Sequence, residues 1–226
     1  MSQVLDELVS LLSMEPIEED LFRGASQDLG FRQMFGGQVL GQSLSAASQT
    51  VGDGRLVHSL HGYFLRPGDA GLPVVYQVER VRDGGSFSTR RVTAIQKGKT
   101  IFTCAASFQG IEEGFHHQAQ MPEVPGPETL RSETVLARLV ADKLPERLRE
   151  RAVHDKPIDI RPVSLNNPFD PKPADPVKHV WFRADGELPD NPALHQYLLA
   201  YASDFNLLTT SMLPHGVSVW QKFMQV

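Results

Sequence analysis

The sequence of 226 residues holds a single cysteine, Cys104. One thiol excludes an intramolecular disulfide framework and any zinc site built on several thiolates, and it fits a reducing compartment. Its simplest role is that of a small buried apolar residue. No stretch approaches the ~18 consecutive apolar residues of a membrane-spanning helix. Met1 to Leu12 contains no basic residue and does contain Asp6 and Glu7, so a secretory or mitochondrial leader is not expected. Positive charge is not in excess either: 22 Lys and Arg stand against 27 Asp and Glu, a net charge of −5. That balance argues against a broad basic face for nucleic acid or anionic lipid, and any anionic ligand must be met by a local group of cations.

Proline is scarce at first and then frequent. Pro16, Pro67 and Pro73 precede residue 121, and the other thirteen of the 16 follow from Pro122 to Pro214. Because proline removes a ladder donor, the first 120 residues can hold regular sheet that the next stretch cannot. Gly110 to Pro127 reads as a boundary, and Arg161 to Pro176 as a second irregular crossing. Between them, Ser132 to Val153 reads as a solvated helix with Val135, Leu136, Leu139, Val140, Leu144 and Leu148 at helical spacing.

Charge is absent from two runs. Gln33 to Gly52 has no charged side chain, and between Gln196 and Leu213 only Asp204 is charged. A surface helix shows a charged face, so a helix opening at Phe35-Gly36-Gly37 is expected to be wrapped on most sides. Strands are expected at Leu56–Leu65, Leu72–Arg82, Ser86–Gln96 and Thr100–Gln109, with hairpin turns at Asp83-Gly84-Gly85 and Lys97-Gly98-Lys99. The grammar repeats after the prolines: a strand Val177–Arg183, a helix Ala193–Met212 started by Asp190-Asn191-Pro192, and room for about one strand from Gly216 to Val226. Near the N-terminus, Leu5, Leu8, Val9 and Leu12 form a helical stripe suited to a packed cover.

Asp204 carries the most information. On a continuous helix its neighbours are Ala200, Tyr201, Leu207 and Leu208, which puts a carboxylate on an apolar stripe, and that is costly unless compensated. Two readings stay open, a buried acid satisfied structurally and a general base. Asn206, Thr209 and Thr210 could bond to it in either case. His58 and His61, three apart on a strand, should point to opposite faces, which disfavours a shared metal. His58 reads as a structural histidine or as a group polarising a substrate. Gly36 and Gly37 could present backbone N–H groups to a ligand oxygen or a phosphate, or could simply allow close packing. Arg66, Arg90 and Arg91 are the candidates for meeting phosphates, with at most one of the last two serving a given site. No Gly-x-Ser-x-Gly elbow occurs, which disfavours a serine hydrolase.

The motifs Leu21-Phe-Arg-Gly24, Phe35-Gly-Gly-Gln-Val-Leu-Gly-Gln42, Leu56 to Gly68, Arg82 to Val92 and His195 to Asp204, taken in order, resemble acyl-CoA thioesterase II, the TesB-type enzymes. The resemblance implies an α+β tandem hot-dog fold, with antiparallel sheet wrapped around central helices and the second hot-dog incomplete. Residues 1–115 would form the first hot-dog domain, 116–157 a linker with a helix, and 158–226 part of the second. It implies hydrolysis of fatty acyl-CoA to CoA and a carboxylic acid in the cytoplasm. No metal, other cofactor, nucleic acid or membrane span would be involved, and the protomers would associate as homo-oligomers. In that family an aspartate matching Asp204 acts with a threonine and a glutamine on the attacking water. Those two match positions past Val226, so only Asp204 is carried over, and the 226-residue chain alone is expected to show little or no turnover. His58, Gly36, Gly37, Arg66 and Arg91 are the remaining substrate-site candidates. A hot-dog hydratase is disfavoured because Leu165-Asn-Asn-Pro-Phe-Asp170 lacks the aspartate and histidine of that family's loop. A non-catalytic acyl-binding or oligomerisation module is the alternative from another class.

Overall fold

The computed structural model describes residues 2–30, 33–144 and 146–218. Two compact units emerge: one joins Asp6–His116 to Pro189–Asp204, and the other takes the remaining described residues.

In the first unit, helix α2 (Gly36–Ser48) is the uncharged helix read from the sequence, and ten of its thirteen residues are buried. Strands β3 (Arg55–Phe64), β4 (Val74–Asp83), β5 (Phe87–Gln96) and β6 (Lys99–Gly110) fall where alternation and turn chemistry place them. The β5–β6 hairpin turns through Lys97 and Gly98, both at positive φ (50° and 70°), the geometry that suits the right-handed twist of the flanking strands. Two short strands were not read from the sequence, β1 (Glu15–Glu18) and β2 (Leu21–Gly24). They extend an antiparallel sheet of order β1-β2-β4-β5-β6-β3. Four-residue strands carry too little alternation to register as a pattern.

The inner face of this sheet packs Tyr76, Val92, Phe102, Cys104 and Phe108 around Val39, Leu44, Ala46 and Ala47 of α2. Helix α1 (Gln3–Leu12) buries Leu8, Leu11 and Leu12. The two buried glutamines of α2, Gln38 and Gln42, have partners. Gln42 Nε2 donates to the carbonyls of Leu11 (2.7 Å) and Ala25 (2.8 Å), and Gln42 Oε1 accepts from the Tyr76 hydroxyl (2.7 Å). A helix can therefore lack charge and still carry glutamine, because each amide group finds a main-chain or phenolic partner. Arg90 is also buried (1% exposed), held by Thr50 Oγ1 at 2.7 Å and Asp83 Oδ1 at 2.8 Å.

Burial pushes the Cys104 thiol up to about 12. A buried neutral thiol is a poor nucleophile, so Cys104 is expected to resist an aromatic disulfide reagent in the native protein and to react at the rate of unfolding. Labelling much faster than the loss of tertiary structure, followed in parallel by near-ultraviolet circular dichroism, would contradict this.

Both long helices expected in the second half of the chain are broken. The stretch from Ser132 to Val153 forms α3 (Glu133–Leu139), a single 3₁₀ turn at Ala141–Lys143, and α4 (Glu146–Val153). The Ser132 side chain caps α3 by accepting from Val135 N–H at 3.2 Å. The break precedes Pro145 in the sequence, and Leu144 is extended (φ −86°, ψ 142°), as a residue before proline prefers. β7 (Ile158–Pro162), not read from the sequence, runs into the start of the expected irregular crossing and pairs antiparallel with β8 (Val180–Ala184), which overlaps the strand expected at Val177–Arg183; Pro162 ends its strand, where a missing N–H costs least.

The helix expected from Ala193 to Met212 is α5 (Pro192–Ala202) followed by α6 (Leu207–Ser211). Asn191 caps α5 through its side chain, accepting from Ala193 N–H at 3.1 Å. Asn206, at φ 67°, separates the two helices; asparagine is one of the few residues that tolerates the left-handed region. Helix α5 packs on α2 in the first unit. The strand expected between Gly216 and Val226 lies outside the described residues from position 219 onward. Among the described residues no helix is long and apolar enough to cross a membrane.

Candidate active site

The break after α5 changes how Asp204 is placed. The residue is not on a helical stripe but two positions beyond Ala202, the last residue of α5, and its carboxylate is half-buried at the N-terminus of α2. The residue preceding α2 is Phe35, which has no side-chain acceptor for the first-turn N–H groups. The acceptor comes instead from a point 167 residues along the chain: Gly37 N–H donates to Asp204 Oδ2 at 3.1 Å. An anion at a helix N-terminus is favoured by the aligned peptide dipoles. Desolvation opposes this and dominates, raising the Asp204 carboxyl above its ordinary value, while the Gly37 N–H lowers it by less.

Glycine at 36 and 37 is required by close approach. A methyl group on Gly37 would run into the Tyr201 carbonyl oxygen and lie 2.5 Å from Cε1 of Phe35. One on Gly36 would lie 2.7 Å from Asp204 Oδ2 and 2.9 Å from Cζ of Phe64. Phe35 meets Tyr201 edge to face with centroids 5.1 Å apart, which seats α5 on the start of α2. Gln196 of α5 binds both main-chain groups of Val57, accepting from its N–H at 3.2 Å and donating to its carbonyl at 2.8 Å. The sheet edge, α2 and α5 are thus tied together, and Asp204 follows directly from the last of them.

Of the sequence candidates, the fold brings together Asp204, Gly36 and Gly37. His58 lies on the outer face of the sheet, its Nε2 2.9 Å from Ser107 Oγ and its ring against Phe87. The opposite-face expectation for His58 and His61 does not hold. A β-bulge between Val57 and Ser59 slips the register, so that His58 meets Ser107 while His61 pairs with Ala105, two residues away on the same outer face of β6. Among the described residues no group of three or more His, Cys, Asp or Glu could hold a metal ion. Arg66 donates to the Thr100 carbonyl at 2.7 Å, and Arg91 is paired with Glu79 at 2.7 Å on the outer face, both exposed. The hydroxyls of Thr209 and Thr210, offered by helical spacing as partners of Asp204, both donate to the Asn206 carbonyl.

One contributor, Phe64, was missed from the sequence, and Asn206, named there as a possible hydrogen-bond partner, was not read as the break between two helices. Phe64, which ends β3, carried no signal apart from its place in a β-rich run. Asn206 did carry one, since asparagine in mid-helix is a known route to a left-handed break.

A groove of about 790 Å³ lies in the second unit, lined in part by Leu165, Asn167, Phe169 and Lys178. Partial burial lowers the Lys178 ammonium, which donates to Thr209 Oγ1 at 2.8 Å.

Comparison with known proteins identifies the chain. A family model described as the acyl-CoA thioesterase N-terminal domain matches residues 26–109, and a second, acyl-CoA thioesterase, matches residues 147–226. Acyl-CoA thioesterase 2 of Haemophilus influenzae is 46% identical over 226 residues, covering 100% of this chain and 79% of its own. The crystal structure of acyl-CoA thioesterase II TesB2 from Mycobacterium marinum aligns with TM-score 0.69 at 39% identity, over 92% of this chain and 71% of that one. A protein from Alicyclobacillus acidocaldarius described as having a hot dog fold aligns with TM-score 0.71 at 21% identity, over 94% of this chain and 74% of that one, a likeness of fold alone. A helix buried on an antiparallel sheet, two family models and a relative matched along the whole of this sequence agree, and the chain belongs to the acyl-CoA thioesterases of the thioesterase II (TesB) type, with an α+β hot-dog fold.

Proposed function

We propose that this thioesterase hydrolyses fatty acyl-CoA with Asp204 as the group that orients and deprotonates the attacking water. The observation that carries the reading is the half-buried carboxylate, bound through Oδ2 to Gly37 N–H at the start of α2. A carboxylate has about four acceptor positions, and the Gly37 bond occupies one of them. The others suit a water O–H. In the reaction the water oxygen bonds to the thioester carbon and its proton passes to Asp204. The C–S bond then breaks, and the CoA sulfur leaves with that proton, giving free CoA and the carboxylic acid. Gly37 N–H is engaged with the carboxylate, which leaves Gly36 N–H, at the first helical position, as the candidate donor to the developing oxyanion. The same reading places the enzyme in cytoplasmic lipid metabolism, which its single buried thiol suits, and as a homo-oligomer, which the family resemblance implies.

A second reading takes Asp204 as a helix cap only, and the Gly37 bond favours that equally. The pH dependence of kcat/KM separates the two. A general base works deprotonated, and burial holds this carboxyl above the 3.8 of an ordinary aspartate, so kcat/KM should rise with pH through a limb above that value and then level. The assay uses a form of the protein that turns over acyl-CoA, with Asp204→Asn beside it. Loss of the limb in the variant supports the base; an identical profile in both removes Asp204 from the chemistry.

A further inference from the structure

Phe64 stands out once Asp204 is placed. It is a large aromatic residue, 54% exposed, at the end of a strand whose inner-facing neighbours Val57, Leu60 and Gly62 are partly buried. One side of its ring packs on buried Phe102 with centroids 4.8 Å apart, so the ring is held in place rather than loose. Its free edge reaches the same point in space as the Asp204 carboxylate. The position that a methyl group on Gly36 would take lies 2.7 Å from Asp204 Oδ2, 2.9 Å from Phe64 Cζ and 3.1 Å from Phe64 Cε1. The carboxylate oxygen and the ring edge are therefore no farther apart than the first two of these distances added together.

We propose that Phe64 is a specificity-determining residue, a fixed aromatic wall beside the reacting carbon that admits acyl groups unbranched next to the thioester carbonyl and obstructs those branched there.

The distances lead to this, resting on the reading of Asp204 as the water-activating base. A water within hydrogen-bond reach of the carboxylate, about 2.6–3.2 Å, attacks a carbonyl carbon roughly 3–3.5 Å farther on. The ring edge lies no farther from that carboxylate than this path is long. What it meets is the substituent next to the carbonyl, not the far end of the acyl chain. Glycine at 36 keeps the remaining space open, and Phe102 behind the ring prevents it from retreating. A single methyl group in a walled pocket is worth about 10–200-fold in discrimination.

The test uses a form of the protein that turns over acyl-CoA and compares kcat/KM for a straight-chain acyl-CoA and its 2-methyl-branched isomer in the parent, Phe64→Ala, Phe64→Leu and Phe64→Trp. The ratio of branched to straight should rise roughly 10-fold in Phe64→Ala, rise less in Phe64→Leu and fall in Phe64→Trp. A purely structural role would lower both substrates together and leave the ratio unchanged. If Phe64→Ala does not fold, the opposite movements in Phe64→Leu and Phe64→Trp still decide. A ratio within twofold of the parent in the variants that fold overturns the proposal. Asp204→Asn runs alongside: full activity there would refute the base assignment, whereas an inactive Asp204→Asn with an unmoved ratio refutes the role of Phe64 alone.

Discussion

Asp204→Asn, in a form of the protein that turns over acyl-CoA, is expected to lower kcat by about 10²–10⁴-fold, the usual contribution of a positioned general base, while leaving the fold intact. The amide oxygen of asparagine can still accept from Gly37 N–H, so the start of α2 keeps its cap. What is lost is the capacity to take a proton. The effect on stability has a definite sign. The folded-state value of Asp204 is raised, so the native protein holds its proton more tightly than the unfolded chain does. Stability contributed by this group is therefore present at low pH and is lost as pH rises from 3.8, the ordinary value, through the raised value. An asparagine escapes that loss. The variant should gain on the parent in urea unfolding as pH rises through that interval, with a level difference above it. Asp204→Ala removes the cap as well, at about 1 kcal/mol. Comparable loss of activity in both variants, with loss of stability in the alanine variant only, separates chemistry from capping. A large loss of stability in Asp204→Asn would show that the carboxylate is structural.

Gly37→Ala should be among the most damaging single changes in the first unit. The added methyl would overlap the Tyr201 carbonyl oxygen, a backbone atom that cannot rotate aside, and would also press on the Phe35 ring. Relief requires α2 and α5 to separate. Forced overpacking ordinarily costs about 1–3 kcal/mol and more where the backbone is the obstacle, so about 3 kcal/mol is expected. That corresponds to a fall in Tm of roughly 6–12 °C for a chain of this size. Activity should fall with it, because the Gly37 N–H and the Asp204 carboxylate would part. Gly52→Ala is the matched control, since a methyl group there meets nothing within 4 Å. If Gly37→Ala melts with the control, the helices are not as closely apposed as the structure has them.

Most of the first unit could be read from the residues. Alternation and turn signals placed β3 to β6, and the missing charge of Gln33–Gly52 marked a helix with little solvent-facing surface. Local chemistry is enough for such features because strand period, turn φ and helix faces are set by near neighbours. It was not enough for β1 and β2, which are too short to show a period and exist because β4 offers β2 a partner. It misled at α5, where unbroken apolar spacing concealed the left-handed Asn206. It also misled at His58, where a bulge in β3 reversed the face that strict alternation assigns.

The sequence by itself determined that Asp204 is an isolated charge in an apolar stretch, and motif resemblance indicated its chemical class. Composition likewise excluded a disulfide framework and a cluster of thiolates, because one cysteine can form neither. Only the tertiary structure decided where that charge goes. It leaves the helical stripe, caps a helix whose own N-cap is phenylalanine, and comes near an aromatic edge at Gly36. The reason is physical: a hydrogen bond between residues 167 apart and a clearance at Gly36 depend on how α2, α5 and β3 pack, and no periodicity within any one of them encodes that.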